Sequence, residues 1–210
     1  MRHHETVLKQ QALSALNVRP TGRYVDATFG RGGHARAILD TLGVGGSLLV
    51  LDRDPEAIAA AQGLMAQDPR VKAIKTQFGA LESALAEARL QGKVDGILFD
   101  LGVSSPQLDE PDRGFSFMRD GPLDMRMDSD AKTSAAEWLA DAPEQQIADV
   151  IYQLGEERYS RRIARAIVKV RTEMAITRTS QLADIVKQAH PSWEKHKHPA
   201  TRTFQAIRMH

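Results

Sequence analysis

Residues Tyr24–His34 read YVDATFGRGGH, and this stretch decides the fold. A short apolar run ends in the acid Asp26, passes through three glycines and leads into a helix that begins near His34. Glycine adopts positive φ without a Cβ penalty, so the chain bends sharply here and its amides come close to a ligand. The free N–H groups and the positive dipole end of the following helix point at the same place. The stretch therefore predicts a strand, a turn and a helix that build a small-ligand site from backbone.

A second acid lies at the offset that an adenosine site requires. The apolar run Ser47–Leu51 ends in Asp52. This acid comes about nineteen residues after Gly33, close to the spacing at which an acid in a Rossmann-type unit binds the ribose hydroxyls. Two strand ends and one helix start therefore converge on a ligand with an adenosine half.

Two classes of adenosine ligand fit the glycine turn. Residues 30–35 satisfy the pattern G-x-G-x-x-A of dinucleotide-binding proteins, which favours a nicotinamide or flavin ligand. Asp26, however, would set a carboxylate against the pyrophosphate of such a ligand. S-adenosylmethionine has no phosphate, and its amino and sulfonium groups are cationic, so an acid suits it. We therefore favour the methyl donor over a dinucleotide, and both over a plain tight turn in which Asp26 caps the helix.

Composition excludes several classes of protein. With 210 residues, 42% hydrophobic and 26% charged, the chain can bury a core and hold one domain with an insertion. The absence of cysteine excludes disulfides and thiolate metal sites and favours the cytoplasm. No apolar run reaches the length of a membrane span and no signal-peptide core follows Met1, so we expect no membrane partner. A net charge of +1 limits nucleic-acid binding to a local basic patch.

Strands and helices alternate in the first half of the chain, which is typical of an α/β fold with a parallel sheet. We expect strands near Tyr24–Ala27, Ser47–Leu51, Val71–Lys75 and Val94–Phe99, and helices near Gly33–Leu42, Pro55–Gln67 and Ala80–Leu90. Asp54 followed by Pro55 is a typical helix start.

The second half of the chain has a different pattern. Residues Pro106–Met127 are rich in Gly, Pro, Asp and Arg and predict a long ordered loop, which in a compact domain usually serves function. Helices then follow without strands between them. Their signals are a capping box at Ser134–Glu137, a helix start at Pro143, and helical patterns over Glu156–Arg171, Ser180–Ala189 and Thr201–His210. An all-helical unit therefore follows the fourth strand.

Asp100 comes directly after the fourth predicted strand. The carboxyl ends of strands in an open α/β sheet are where ligand and substrate bind. We therefore expect Asp100 in the same crevice as Asp26 and Asp52. The alternative is an Asp that caps a helix or stabilises a turn.

Several longer motifs resemble, in the same order, those of the bacterial methyltransferases that modify the exocyclic N4 amine of a cytidine in 16S ribosomal RNA. The motifs are Asp26–His34, Leu51–Pro55, Asp100–Asp109, Arg113–Phe117, Gly121–Met127 and His198–Ala206. The resemblance extends from about His4 to the last residue. It implies a Rossmann-like α/β fold with strand order 3-2-1-4, an inserted all-helical domain and S-adenosylmethionine as cofactor.

This resemblance also implies how the domains are arranged. A donor-binding core covers residues 1–105, a loop with the helical insertion covers 106–200, and the start of a helix that returns to the core covers 201–210. Further strands follow in the family, so we expect either a fragment or a truncated relative, with an open sheet edge beside the fourth strand. Three functions stay open, in this order: an active RNA methyltransferase, an inactive donor-binding fragment, and a dinucleotide oxidoreductase.

The resemblance further assigns residues to the donor site. They are Gly32, Gly33 and His34 around the methionine part, Asp52 on the ribose, Phe78 on the adenine, Asp100 and Gln107 closing the pocket, and Asp26 and Gly30 in support. Phe78 offers a stacking face, although a single Phe more often belongs to a core. Asp100 is the catalytic candidate, because an acceptor that binds the amine hydrogens would localise its lone pair. Amino-methyltransferases often have two prolines and an aromatic residue after this acid, whereas residues 101–103 here are Leu-Gly-Val.

The expected partner is 16S ribosomal RNA within the small ribosomal subunit, and two groups of residues are candidates to bind it. Basic residues at helical spacing, with more basic charge further on, suit phosphates or simply a solvated face. They are Arg158, Arg162, Arg165 and Lys169, with Arg161 beside them, followed by Lys195, Lys197, Arg202 and Arg208. In a Gly-flanked loop that also contains Arg113 and Arg119, Phe115 and Phe117 could stack an extruded base or fix the loop to the core.

No metal site is expected. The pairs His3–His4 and His196 with His198 come without carboxylates or cysteines at ligand spacing. No pattern in the sequence predicts an oligomeric state.

Overall fold

The structure, a computed structural model, describes residues 8–191 and 198–210. The strands within these ranges are β1 (Arg23–Asp26), β2 (Ser47–Asp52), β3 (Val71–Lys75) and β4 (Gly96–Leu98). The helices are α1 (Lys9–Leu16), α2 (Gly33–Thr41), α3 (Pro55–Gln67), α4 (Leu81–Ala88), α5 (Ser105–Asp109), α6 (Ala135–Asp141), α7 (Glu144–Gly155), α8 (Ser160–Arg171), α9 (Thr179–Ala189) and α10 (Ala200–Met209). Short 3-10 turns cover Phe78–Ala80 and Pro111–Arg113. The candidates His3, His4, Lys195, His196 and Lys197 lie outside the described residues.

The four strands form one parallel sheet in the order β3-β2-β1-β4. The predicted α/β class and strand order 3-2-1-4 are confirmed. Strand β1 is interior: Val25 pairs with Leu49 on one side and with Ile97 on the other. The strand order reverses between β1 and β4, and open α/β sheets bind ligands beyond the strand ends at such a reversal.

Helices cover both faces of the sheet. Successive side chains of a strand point to opposite faces, so Tyr24 and Val25 enter different cores. Tyr24 packs with residues of α2 and α3, such as Ile38 and Ala61. Val25 packs against the other face, which is covered by α4. Burial of each large apolar side chain contributes about 1.5–3 kcal/mol, and this packing holds the strand ends in place.

Packing divides the chain into two units. The sheet unit runs to Ser104 and includes Met127–Ser129, and the helical unit comprises Ser105–Arg126 and Asp130–His210. The sequence predicts that residues 201–210 begin a return to the sheet. In the structure, α10 packs on α7 and α9, and Phe204 is buried in the apolar core of the helical unit. The return to the sheet stays a prediction. None of the helices in the described ranges is long and apolar enough to cross a membrane.

Two predicted helix starts are confirmed by their caps. The side chain of Asp54 accepts a hydrogen bond from the Glu56 amide, with Pro55 in the first turn of α3. Ser134 and Glu137 form the capping box of α6, in which each side chain bonds the backbone N–H of the other. Such caps contribute about 0.5–2 kcal/mol each.

The predicted helix over Glu156–Arg171 is wrong at its beginning. Glu156 has φ of 53° and ends α7, and α8 begins only at Ser160. The loop predicted over Pro106–Met127 also contains more structure than expected, since its start is helical in α5. Later in the loop, a Cβ on Gly121 would lie 1.9 Å from the Pro111 carbonyl oxygen. Backbone therefore packs directly on backbone there.

Candidate functional site

The glycine turn after β1 needs glycine for two different reasons. Gly30 has φ of +54° and Gly32 has φ of +76°, a region that L side chains rarely adopt. A Cβ on Gly32 would also lie 2.6 Å from the Phe29 ring, whereas a Cβ on Gly30 would meet no atom within 4 Å. Gly32 is thus fixed by conformation and by space. The space beside Gly30 is open for the close approach of a ligand.

Helix α2 begins directly after this turn. Its first N–H groups have no partner within the helix and carry the positive end of its dipole. His34, in the first turn, is buried, and its Nε2 lies 3.4 Å from Oδ2 of Asp100. The structure therefore brings together two residues that the sequence assigns separately to the donor site.

Asp52 ties the end of β2 to the glycine turn. Its Oδ2 accepts a hydrogen bond from the Gly30 amide at 2.8 Å, and its Oδ1 accepts one from the Asp54 amide at 2.9 Å. Each carboxylate oxygen can accept a further bond. Asp52 is thus held in one orientation, with acceptor capacity left for the two hydroxyls of a ribose.

Asp26 is the most unusual group of the site. It ends the interior strand between Val50 and Leu98 and is only 1% exposed. Its Oδ1 accepts from the Thr28 amide at 3.2 Å, while Oδ2 has no hydrogen-bond partner among the described residues. Burial raises the pKa of Asp26 to about 7, and the charges of Asp52 and Asp100 act in the same direction. Near neutral pH the neutral and ionised forms of Asp26 therefore coexist.

Asp100 lies two residues beyond the end of β4 and differs from Asp26 in exposure. Its side chain is 55% exposed. Its backbone amide donates to Thr28 Oγ1 at 2.8 Å, so Thr28 bonds both acids, one through its amide and one through its hydroxyl. The sequence reasoning missed Thr28. The signal was a hydroxyl residue two positions after a strand-end Asp, which is a common turn arrangement.

Two aromatic rings lie side by side in the sheet unit. Phe78 and Phe99 are 49% and 44% exposed. Their ring centroids are 6.2 Å apart with an interplanar angle of 86°. Exposed aromatic faces suit a planar base. The sequence reasoning missed Phe99, because it was predicted as the last residue of a strand that ends at Leu98.

The candidates in the loop before α6 serve the helical unit itself. Phe115 is fully buried, so its ring has no free face for a base, and the stacking prediction is wrong for it. The ring of Phe117 packs against the rings of Phe204 and His198, with centroids 4.8 and 4.6 Å away. Arg113 donates to the Arg126 carbonyl oxygen. These contacts fix the loop to the core, which is the alternative that the sequence left open.

Gln107 and two of the basic candidates, Arg202 and Arg208, also belong to the helical unit. Gln107 is a buried residue of α5, and its role in a donor pocket stays a prediction. Arg202 and Arg208 donate to the carbonyl oxygens of Glu156 and Phe115, respectively. Arg208 is therefore bound within the unit and is not a free phosphate ligand.

The basic stripe on α8 is exposed. It consists of Arg161, Arg162, Arg165 and Lys169. Arg165 lies 3.8 Å from Glu144, a distance typical of a weak surface ion pair. Arg158 precedes the helix and its guanidinium stacks 4.6 Å above the ring of Tyr159, so its predicted place on the helix face is wrong.

The residues of the sheet unit fit a cationic nucleoside. Three strand-end acids, Asp26, Asp52 and Asp100, interact electrostatically with one another. A diphosphate would add anionic charge beside them at a cost, whereas a sulfonium and an ammonium would offset their charge. With the glycine turn, the ribose-type acid and an aromatic pair, the fold and site are those of a Rossmann-like protein suited to a cationic nucleoside cofactor, the class to which S-adenosylmethionine belongs.

The comparison with protein families agrees with this class. The model of the MraW methylase family matches residues 1–210. The chain belongs to this family and is an S-adenosylmethionine-dependent methyltransferase. The alternative of a dinucleotide oxidoreductase is therefore dropped.

Proposed function

We propose that this protein methylates the exocyclic N4 amine of a cytidine in 16S ribosomal RNA, within the small ribosomal subunit. S-adenosylmethionine, when bound, supplies a methyl group on a sulfonium that the cytosine amine attacks in line. The observation that carries the proposal is an exposed carboxylate, Asp100, just beyond a strand end and close enough to the buried Asp26 to act on it electrostatically. The activity belongs in the cytoplasm, because bacterial ribosomal subunits are found there.

Different groups of the proposed donor site suit different parts of the donor. The turn at Gly30–Gly33 and the start of α2 present backbone amides, which suit the carboxylate of the methionine part. Asp52 accepts from the ribose hydroxyls, and the rings of Phe78 and Phe99 offer faces for the adenine. These contacts align the reacting atoms, and alignment alone is worth up to about 7–11 kcal/mol in a displacement reaction.

Asp100 acts on the amine. The lone pair of a cytosine amine is delocalised into its ring, so the amine is a poor nucleophile. A carboxylate that accepts hydrogen bonds from the amine favours localisation of the lone pair, and a nearby base takes the proton that the product loses. The backbone bond to Thr28 and the contact with His34 hold Asp100 in place.

The RNA partner would bind through phosphates. The exposed stripe of α8 offers four cations on one helix, and phosphate contacts of this kind position an RNA without reading its sequence. The overall charge of +1 supplies little additional attraction. The stripe therefore accounts for affinity and leaves the choice of nucleotide to the reaction site.

Mass spectrometry of nucleosides tests the proposal. Small ribosomal subunits that lack the modification are incubated with the protein and with S-adenosylmethionine that carries a labelled methyl group. We expect labelled N4-methylcytidine from the wild type, and a loss of turnover of about 100-fold or more in Asp100→Asn, as is typical when an acid–base group is removed. Asp109→Asn, in α5 of the helical unit, is the matched control. Donor binding without any labelled product would overturn the proposed activity, and equal turnover in Asp100→Asn would overturn the role of Asp100.

A further inference from the structure

Asp26 is a buried acid, and the charges that act on it within the described residues are those of two other acids, Asp52 and Asp100. It ends an interior strand, its Oδ2 has no partner in the part of the chain that the structure describes, and one backbone amide bonds its Oδ1. A buried carboxylate is costly unless it is paired, and such a group stays protonated until a cation arrives. The geometry thus holds a neutral acid beside a site for a cationic ligand.

The titratable groups around Asp26 come from every neighbouring element. Asp52 ends β2 and Asp100 follows β4, and both charges disfavour ionisation of Asp26. From α2, His34 lies 3.4 Å from Asp100. Asp52 already accepts two backbone amides, and Asp100 is more than half exposed. Asp26 is therefore the acid of this group with the most to gain from a bound cation.

We propose that Asp26 is neutral in the donor-free protein at mildly acidic pH and loses its proton when the cationic methionine half of the donor binds, so that under those conditions each donor is taken up in exchange for one proton. The inference rests on the proposed use of this site for S-adenosylmethionine. The O–H bond of the carboxyl group breaks, the proton passes to the buffer, and the carboxylate pairs with the positive charge of the ligand. The net charge of the site is unchanged by binding, because one positive charge arrives with the ligand and one leaves as the proton.

The exchange makes donor affinity depend on pH. Only the protein with ionised Asp26 binds the donor. The apparent dissociation constant therefore equals the intrinsic constant divided by the fraction of Asp26 that is ionised. For a group that titrates near neutrality, that fraction rises about tenfold or more between pH 5.5 and 7.0. The amino group of the donor stays charged over this range, since α-amino groups titrate at about 7.7–8.0.

Titration calorimetry of the full chain tests the inference. S-adenosylmethionine is titrated at pH 5.5 and at pH 7.0, in buffers of different ionisation enthalpy, which gives the number of protons released. We expect close to one proton per donor at pH 5.5 and about half a proton at pH 7.0, with affinity rising about tenfold between them. Asp26→Asn keeps the acceptor for the Thr28 amide but cannot ionise. It should release no proton and show an affinity that varies little with pH.

Two controls separate the sources of the proton and of the charge. Asp40→Asn, an exposed acid on α2, should behave as the wild type. S-adenosylhomocysteine keeps the ammonium group but lacks the sulfonium charge. Proton release with both ligands identifies the ammonium as the partner of Asp26, and release with the donor alone identifies the sulfonium.

Three outcomes are decisive. Normal donor binding without proton release at pH 5.5 would overturn the exchange, and so would equal release from Asp26→Asn, because the proton would then come from another group. Failure of the wild type to bind either ligand at both pH values would instead overturn the proposed use of the site.

Discussion

The most deeply buried acid of the sheet unit, Asp26, and that of the helical unit, Glu157, have different surroundings among the described residues. Glu157 of the helical unit accepts a hydrogen bond from the Tyr159 amide at 2.8 Å, and its other oxygen lies 3.5 Å from His190 Nε2. Asp26 of the sheet unit has one oxygen without a partner among the described residues, and two further acids act on it. Buried polar groups normally have partners inside the protein. The difference indicates that Glu157 serves the fold, and it supports the proposal that a ligand supplies the missing partner of Asp26.

The largest expected effect comes from the turn that carries the donor site. Gly32→Val places a branched side chain at φ of +76° and against the Phe29 ring. The left-handed conformation costs about 1–2 kcal/mol and the overpacking about 1–3 kcal/mol. We expect donor affinity to fall at least about thirtyfold, measured by calorimetry at pH 7.0.

The matched control for that variant is Gly63→Ala. Gly63 lies inside α3, where a Cβ would meet no atom within 4 Å and φ is not positive. Alanine there should leave donor binding unchanged and add up to about 1 kcal/mol of helix stability. If Gly32→Val bound the donor as tightly as Gly63→Ala, the turn would not be part of the site.

A smaller effect separates the two units by function. Arg162→Glu reverses one charge of the exposed stripe on α8. We expect RNA affinity to fall about tenfold and the slope of its logarithm against log salt to flatten by about one, since each phosphate contact contributes roughly that much. Donor affinity should stay at the wild-type value.

Lys93→Glu is the control for net charge, because Lys93 is an exposed residue of the sheet unit. It makes the same change in total charge and should weaken RNA binding less. Equal losses in the two variants would show that only the overall charge matters, and the assignment of RNA binding to the helical unit would then fail.

How far the sequence predicts each unit depends on how local the signal is. The glycine turn and the caps at Asp54 and Ser134 were predictable, since each depends on residues within a few positions. The end of α7 was not. Gly155 would ordinarily indicate the residue just after a helix end, but it is still part of α7. A Cβ there would lie 2.5 Å from the Arg202 carbonyl oxygen, so glycine is needed at this position for close packing. The glycine therefore serves a contact between residues far apart in the sequence, and the helix ends at Glu156 instead.

The same distinction holds for the site residues. The positions of Asp26, Asp52 and Asp100 follow from strand ends, which periodicity locates. The raised pKa of Asp26 does not, because it depends on two flanking strands and on acids far away along the chain. Likewise, only the folded loop reveals that Phe115 is buried. The sequence therefore predicts well which groups lie close together, but it predicts their charge state and exposure poorly.

The smallest expected effect compares the two buried acids directly. The pKa of Asp26 is about 7 in the folded protein against an ordinary value of 3.8. Between these values the folded state binds more protons than the unfolded state, so the contribution of Asp26 to stability falls as pH rises from about 4 to 7 and stays low above that range. The side chain of Asp26→Asn does not titrate. The melting temperature of the variant minus that of the wild type should therefore be larger at pH 8 than at pH 4, by at least about 2–4 °C.

Glu157→Gln should shift the melting temperature the other way. It replaces a charged acceptor by a neutral one at a buried pair, which costs about 1 kcal/mol and lowers the melting temperature by about 2–4 °C at pH 8. Thermal unfolding followed by circular dichroism measures both variants in the absence of donor. Because the two substitutions are chemically alike, opposite signs at pH 8 would have to come from the partners of each acid. Equal losses of stability would mean that Asp26 is satisfied within the fold, and its ligand role would lose its physical basis.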